Sequence, residues 1–229
     1  MRVYHFLSEA GAIDDLRNRR IKISRIADMN DPFELLAIEL SDKEIGRAFL
    51  KTRRQIDEKY GVICFSKDWS NPVLWSHYAE KHRGVCLGFD IADDLVIHVK
   101  YNGRRLVQNV KHDFSRGLLD EKFTLRLLGT KFKDWEYEDE VRVLTKLEER
   151  DKKTRLYFKE FGEDLTLREV ILGARWESKT EEIGVCLRKY PKGVRVIQAR
   201  LAFRSFRIVQ NKAKTRQLRA RWDAAKFDK

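Results

Sequence analysis

The sequence predicts an α+β protein in which small split or mixed β-sheets carry flanking helices and a basic helix follows at the C-terminus. Segments with strand and helix periodicity are intermixed along the 229 residues, without the regular alternation of a doubly wound sheet. Hydrophobic residues make up 42% of the chain, enough for a substantial core. Neither a repeat nor a flexible linker interrupts the pattern. We therefore expect one domain over residues 1–203 and a basic helical appendage over 204–229.

The first ninety residues are predicted to alternate between strands and capped helices. Short apolar or alternating runs predict strands at Arg2–Phe6, Arg20–Ser24, Gly61–Ser66 and Gly84–Phe89. Capping residues predict helices from Ser8 to about Arg19, from the Ser41-x-x-Glu44 capping box to about Tyr60, and over Val73–Lys81 behind Asn71-Pro72.

The remaining residues continue the mixed pattern. Strands are predicted as a pair within 94–110, at Glu138–Leu144, at Leu167–Leu172, and as one or two within Val194–Val209. Helices are predicted over 113–129, from the cap at Ser178 to Tyr190, and over Lys212–Ala225.

The charge of the chain is strongly positive and unevenly distributed. The formal net charge is +12, and residues 204–229 carry nine Lys or Arg against two Asp. Such a terminus attracts polyanions, of which nucleic acid is the commonest in a cell, with Arg216, Arg219 and Arg221 as the candidate contacts. A solvated basic helix, or a helix that binds an acidic protein, remains the alternative.

Cysteine usage and hydropathy predict a cytoplasmic protein. The sequence has three cysteines, an odd number, without CxxC spacing: Cys64, Cys86 and Cys186. Each lies among apolar residues, so we expect reduced thiols in the core. No apolar run approaches membrane-spanning length, and the N-terminus lacks the apolar region of a signal peptide. We expect no membrane partner, and the oligomeric state is left open.

Three clusters in the sequence mix aromatic with ionisable residues. They are Asn30–Glu34, Trp75–Tyr78 and Trp135–Arg142. Aromatic rings bury area, whereas charged heads need partners once they leave water. The combination predicts one polar pocket assembled from distant segments, with Asn30, Asp31 and Glu34 among its binding residues.

Two of these clusters have alternative interpretations. On a helix over Val73–Lys81, Trp75 and Tyr78 share a face with Ala79 and His82, which is typical either of a binding face or of an aromatic core stripe. On a strand over Glu138–Leu144, the charged residues Glu138, Glu140 and Arg142 share a face, which indicates either an enclosed site or a surface ion-pair ladder. Because Trp135 and Tyr137 precede this strand, we favour the enclosed setting.

Cofactor motifs are missing from the sequence. It contains no G-x-G-x-x-G, Walker lysine loop, H-E-x-x-H or G-x-S-x-G. The cysteines and histidines are not clustered either, so we expect no metal and no cofactor that binds through a glycine-rich turn.

Over about residues 1–175 the chain resembles a bacterial family catalogued as domain of unknown function 2971. The resemblance rests on the three clusters together with Tyr4-His5-Phe6, Cys64-Phe65-Ser66 and Gly84–Phe89. The family usually has Trp where this chain has Val141, a position predicted to face away from the carboxylates. The family has no settled activity, although relatives occur near phage-defence genes.

The order of an early Tyr-His strand, a helix, a short basic strand and a late acid-aliphatic strand is similar to DarT-type ADP-ribosyltransferase toxins. This resemblance implies an ADP-ribosyltransferase-like split-sheet fold that binds NAD as co-substrate between two small sheets. It places His5 at the adenine-side ribose, Ser66 or Tyr78 along the nicotinamide pocket, and Glu140 at the scissile ribose. Trp75 or Tyr78 would stack on the nicotinamide ring.

Three functions remain open at this point. The first is an NAD-consuming ADP-ribosyltransferase or NAD glycohydrolase with Glu140, His5 and Tyr78 as catalytic residues. The second is a metal-dependent nuclease with Glu138, Glu140 and a nearby Asp as ligands, and with Arg142 where such enzymes usually have a lysine. The third is a non-catalytic module that binds nucleic acid through its basic terminus.

Overall fold

The computed structural model describes residues 1–106, 121–177, 181–190 and 193–224. Its helices are α1 (Glu9–Asn18), α2 (Lys43–Lys59), α3 (Pro72–Tyr78), α4 (Glu121–Leu128), α5 (Glu181–Leu187) and α6 (Lys212–Ala224). Its strands are β1 (Arg2–Leu7), β2 (Arg20–Arg25), β3 (Tyr60–Ser66), β4 (Val85–Asp90), β5 (Ile97–His98), β6 (Lys100–Asn102), β7 (Thr130–Phe132), β8 (Glu140–Lys146), β9 (Tyr157–Glu160), β10 (Thr166–Leu172), β11 (Arg195–Leu201) and β12 (Ile208–Gln210).

The helices and the mixed sheet confirm the predicted α+β class. Parallel and antiparallel pairing occur together, since β10 runs parallel to β11 but antiparallel to β4. Within the described ranges, no helix is both long enough and apolar enough to cross a bilayer. Residues 107–120, the predicted cap Ser178 and Ala225 lie outside the described residues, so the predictions that fall on them stay predictions.

The chain divides into two compact units. The first unit comprises Met1–Ile21, Phe65–Asp93 and Lys159–Lys229, and the second comprises Lys22–Cys64 and Asp94–Phe158. The prediction of one domain over residues 1–203 with an appendage over 204–229 stays a prediction.

The first unit is built around antiparallel and parallel strands in the order β12, β11, β10, β4, β1. Its apolar centre is a cluster that includes Trp75, Cys86, Ile171, Ile197 and Ile208, all buried. Helix α1 begins as predicted, because the Ser8 side chain accepts a hydrogen bond from Gly11 N–H.

The second unit packs helices α2 and α4 against β3 and β8. Strand β8 pairs with β3 and with β5, and β6 and β7 form a separate parallel pair. Phe49, Ile56, Val62, Leu127 and Leu128 belong to its buried apolar cluster. This core fixes the ends of β7 and β8, from which the charged residues of the candidate site project.

The predicted start of the strand at Glu138 is wrong. Residues Lys133–Glu138 form a 3₁₀-helix, and Asp139 then adopts a left-handed conformation with φ 42° and ψ 53°. The strand starts only at Glu140, because an extended strand cannot pass through a left-handed residue. Its first four residues are all buried, whereas a half-buried strand was expected.

The predicted end of the third helix is also wrong. Helix α3 starts as predicted, with the Asn71 side chain accepting from Val73 N–H, but it stops at Tyr78. Glu80, Lys81 and His82 all have positive φ. The chain turns there and leads into Gly84. The backbone of Gly84 lies so close to β1 that a Cβ atom would come within 2.3 Å of Leu7 O. His82 is therefore not on the helical face predicted for it.

The N-cap of α2 is shifted by one residue from the prediction. Asp42, not Ser41, accepts the hydrogen bond from Glu44 N–H at 2.9 Å. Ser41 instead donates to Glu39. An aspartate caps a helix as well as a serine does, so the sequence offered two equivalent starts.

Asp15 is a buried carboxyl on α1. Its side chain lies in the first unit with the residue only 5% exposed. Burial, reinforced by the neighbouring Asp14 carboxylate, raises the pKa of Asp15 to about 8, although Arg20 opposes the shift. The folded protein therefore binds a proton at Asp15 that the unfolded chain releases.

We expect Asp15→Asn to raise the free energy of unfolding by about 1–3 kcal/mol near pH 7. Because the folded-state pKa lies above the unfolded value, wild type should lose stability as the pH rises from about 4 to about 8. The gain from the substitution should therefore disappear near pH 4. Urea unfolding of both proteins across this range measures it, with the exposed Asp94→Asn as control. A gain that does not change with pH would contradict the assignment.

Candidate functional site

The loop from Asn30 to Leu36 is folded by its own backbone. The Asp31 carboxylate accepts a hydrogen bond from Phe33 N–H at 2.9 Å, and Asp31 O accepts one from Glu34 N–H at 3.1 Å. Leu35 then adopts a positive φ of 58°. These turns direct the Glu34 side chain inward, where it is 1% exposed.

Arg142 on β8 holds Glu34 and Glu140 at the same time. Its Nη1 and Nη2 each donate to one Glu34 oxygen at 2.7 Å, and its Nε and Nη2 donate to the two Glu140 oxygens at 2.8 and 3.0 Å. Nη1 also donates to Leu128 O at 2.9 Å. These contacts use all five N–H groups of the guanidinium, so Arg142 has no donor left for a ligand.

Lys131 on β7 is the second cation of this site. Its Nζ donates to Glu138 at 2.5 Å and to Glu140 at 3.1 Å, and lies 3.6 Å from Glu34. The same ammonium lies 5.0 Å from the centre of the Trp135 ring. Lys131 is only 6% exposed, so the ion pairs are formed largely away from water.

Glu34, Lys131, Glu138, Glu140 and Arg142 form what we call the buried ion cluster. All five are at most 6% exposed. The cluster has three carboxylates and two cations, and therefore one excess negative charge when every member is ionised. The charged residues of β8 therefore form an enclosed site and not an ion-pair ladder on the surface.

The electrostatics of the cluster favour the charged forms of Glu140 and Lys131. Burial by itself raises the pKa of Glu140, but the nearby charges and hydrogen bonds of Arg142, with help from Lys131, lower it to about 2. Burial works against the charge on Lys131 as well, yet the three carboxylates raise the pKa of its ammonium. Glu140 is thus an anion at neutral pH, with both oxygens engaged.

Two further groups surround Glu140. Its backbone N–H donates to the Tyr101 hydroxyl at 2.8 Å, which fixes the start of β8. Burial, and then the adjacent Glu140 carboxylate, raises the pKa of the Cys64 thiol well above its usual range. Cys64 therefore stays protonated and is not an activated nucleophile.

A pocket of about 380 Å³ opens beside the cluster, within the second unit. Glu34 and Lys131 contribute to its wall, together with Asp31 and Phe33 of the loop. Arg104 and Arg105, both exposed, also line it. The Arg105 guanidinium lies 5.2 Å from the centre of the Phe33 ring. This volume is within the usual range for small-molecule sites.

Asp31 provides a second carboxylate in this pocket. The residue is 4% exposed, and its carboxylate accepts one hydrogen bond among the described residues, from Phe33 N–H to Oδ1. Its other oxygen is therefore available to a ligand. Asn30 is exposed at the entrance to the same loop.

The predicted binding residues of the first unit lie in different surroundings. Trp75 is fully buried, and its indole N–H donates to Trp69 O at 2.6 Å, so in this conformation it belongs to the core. Ser66 is buried and exchanges hydrogen bonds with the Asp68 backbone. His5 and Tyr78 are partly buried, and the His5 ring packs edge-on against Phe65.

The structure brings Glu34 of the cluster Asn30–Glu34 together with Glu138, Glu140 and Arg142 of the cluster Trp135–Arg142. His5, Ser66, Trp75 and Tyr78 belong to the first unit. A cleft shared by His5, Tyr78 and Glu140 stays a prediction.

Sequence reasoning missed Lys131, Arg104 and Arg105. Lys131 lies on a three-residue strand, which is too short to show periodicity. Its one available signal was Trp135, four residues further along. The arginines follow Gly103 after another short strand and resemble any basic surface loop.

Helix α6 starts at Lys212, the residue that was predicted as its start. Arg216 and Arg219 are exposed on it, while Thr215 and Leu218 are buried. The Arg221 side chain lies outside the described ones.

Comparison with known families supports the resemblance seen in the sequence. A family model described as Protein of unknown function (DUF2971) matches residues 74–143, which confirms that resemblance over this stretch. The match includes Lys131 and the whole of Glu138–Arg142. No curated protein and no solved structure matches the chain.

Replacing Arg142 by lysine should strongly destabilise the fold. Lysine cannot supply the forked donors that hold two carboxylates, so buried charge would remain unpaired, at a cost of about 3–5 kcal/mol. Urea unfolding near pH 7 measures this. The control is Arg168→Lys, since Arg168 pairs with Asp90 at the surface and should change stability by less than about 1 kcal/mol. Equal effects of the two substitutions would contradict the role given to Arg142.

Proposed function

We propose that this protein consumes NAD by breaking the bond between nicotinamide and ribose, and transfers ADP-ribose to an acceptor or to water. The observation that carries the proposal is the pocket of the second unit. It combines two exposed arginines and a phenyl ring with the carboxylates of Asp31 and Glu34. A dinucleotide offers the matching groups, which are phosphates, flat rings and sugar hydroxyls.

Arg104 and Arg105 are suited to the phosphates of such a substrate. Both are exposed, and neither makes an ion pair within the described residues. A guanidinium binds phosphate through paired, charge-assisted hydrogen bonds. Phe33, which is 53% exposed, offers a face for stacking.

The carboxylates suit the chemistry at the ribose. When the C–N bond breaks, its electron pair leaves with nicotinamide, which departs as a neutral molecule, and positive charge develops at the ribose carbon. A nearby carboxylate stabilises that charge, as in glycoside cleavage. The acceptor hydroxyl or water then bonds to the ribose carbon and gives its proton to a carboxylate. Asp31 has an oxygen free among the described residues for these tasks.

Glu140 has a different role in this proposal from the one the resemblance implies. Its oxygens are bonded to Arg142 and Lys131, and it does not contribute to the pocket wall. We assign it as a positioning residue, which orients Arg142 and thereby Glu34. The acid with an oxygen left for the substrate is Asp31, while Glu34, held by Arg142, contributes its charge to the pocket wall.

The order of elements also supports an ADP-ribosyltransferase-like arrangement. Strand β1 carries His5, helix α1 follows, β2 is short and basic, and β8 carries the late acidic residue. The roles that the resemblance gives to His5, Ser66 and Tyr78, which belong to the first unit, stay predictions. The proposal does not include stacking of nicotinamide on Trp75, because that ring is buried in the core.

A metal-dependent nuclease has less support from the site. The carboxylates of Glu138 and Glu140 have Lys131 and Arg142 where a metal ion would lie. Within the ranges that the structure describes, no group of three His, Cys, Asp or Glu side chains is arranged to hold a metal ion.

Removing the two pocket arginines should weaken NAD binding. We expect Arg104→Gln/Arg105→Gln to raise KM for NAD by about tenfold or more, because contacts to phosphate are lost. Nicotinamide release, followed by chromatography, measures this effect. The matched control is Arg47→Gln/Arg54→Gln, which removes the same charge from exposed positions on α2. If both pairs raise KM equally, the arginines do not bind the substrate.

Asp31→Asn should lower kcat for nicotinamide release by about a hundredfold, with stability preserved. Glu140→Gln should lower both activity and stability, because it loosens the buried ion cluster. The exposed Asp28→Asn serves as control. Wild-type protein that releases no nicotinamide, either alone or with protein, DNA or RNA as acceptor, would end the proposal. Full activity in Asp31→Asn would remove Asp31 from the chemistry.

A further inference from the structure

The loop between β11 and β12 exposes two phenylalanines. Phe203 is 90% exposed and Phe206 is 99% exposed, and Leu201 beside them is 61% exposed. Several large apolar side chains exposed within one short segment can mark an interaction site. The loop is nevertheless closed and anchored. Ala202 N–H donates to Arg207 O at 2.9 Å, and Arg207 binds Asp68 and Ser70 at its base.

All the charged residues near these rings in the sequence are cations. Residues 193–220 contain eight Lys or Arg and neither Asp nor Glu. The Arg200 guanidinium lies 4.3 Å from the centre of the Phe203 ring, so one ring is already part of a cation–π stack. Arg204, between the two rings, is exposed.

Helix α6 adds a cationic stripe next to this hairpin. The Thr215 hydroxyl accepts a hydrogen bond from Gln198 N–H at 3.1 Å, which fastens the helix to β11. Lys212, Arg216 and Arg219 are spaced four and three residues apart and are exposed. The hairpin and the helix therefore belong to one basic part of the first unit.

We propose that the β11–β12 loop and α6 bind single-stranded nucleic acid. Phe203 and Phe206 stack on unpaired bases, and the arginines and lysines contact phosphates. The absence of acids from residues 193–220 fits a polyanion. Arg204 and Ser205 stand between the two phenylalanines in the sequence, and both are exposed. This inference stands independently of the NAD proposal.

Fluorescence anisotropy with labelled oligothymidine and oligouridine tests the stacking. We expect Phe203→Ala/Phe206→Ala to weaken binding of at least one strand by about tenfold or more. Because both rings lie in solvent, the melting temperature should not change. The control is Val185→Ala, which removes a 54% exposed apolar side chain elsewhere in the first unit and should bind as wild type does.

The dependence of binding affinity on salt concentration separates the contribution of stacking from that of charge. Between about 50 and 200 mM salt, the phenylalanine variant should keep the slope of log affinity against log salt. Arg216→Gln/Arg219→Gln should make that slope shallower by roughly 1, because fewer counterions are released.

Three results would overturn the proposal. One is wild-type affinity in the phenylalanine variant. Another is equal affinity for single strands and for a duplex of the same length, since paired bases offer no free face. The last is binding to vesicles of phosphatidylcholine and phosphatidylserine with none to either oligonucleotide, which would identify a membrane surface.

Discussion

The second unit depends on the guanidinium of Arg142. Its five donors join a loop glutamate, a strand glutamate and the last carbonyl of α4, so three distant segments are held at one point. Removing these charges from water is costly, and only near-complete pairing offsets that cost. The arrangement therefore tolerates few alternatives. Glu34 reaches Arg142 from the turn in which the Asp31 carboxylate accepts a hydrogen bond from Phe33 N–H.

The charge balance of the buried ion cluster gives the pocket its chemical character. When all five members are ionised, three carboxylates face two cations, so the buried ion cluster beside the pocket carries one excess negative charge. In a poorly solvated setting this excess favours a positive charge that develops nearby. Exposed arginines line the same pocket. A substrate with phosphates at one end and a carbon that becomes cationic at the other meets both demands.

The enclosed acids could be predicted from sequence, because Trp135 and Tyr137 lead into Glu138 and Glu140, and charges among rings require partners. The backbone conformations that position these acids could not be predicted. Asp139 adopts a left-handed conformation that no local signal specifies, so Glu138 was assigned to a strand. The positive φ values at Glu80 and Lys81 depend on packing near Gly84, which lies beyond the range of helix patterns. Lys131 was missed for a related reason, since tertiary contacts alone define its short strand.

Positive charge has two different roles in this chain. Lys131 and Arg142 are buried and fully engaged with carboxylates, so they shape the site without attracting distant ligands. The cations of residues 193–220 have no acid within that stretch of sequence, and those on α6 are largely exposed. Residues 193–220 contribute eight cations to the net charge of +12, although Arg195 pairs with Glu169 and Arg207 with Asp68, so much of that net charge lies outside the pocket. The two proposed properties, affinity for a polyanion and chemistry on a small substrate, are therefore assigned to different units of the protein.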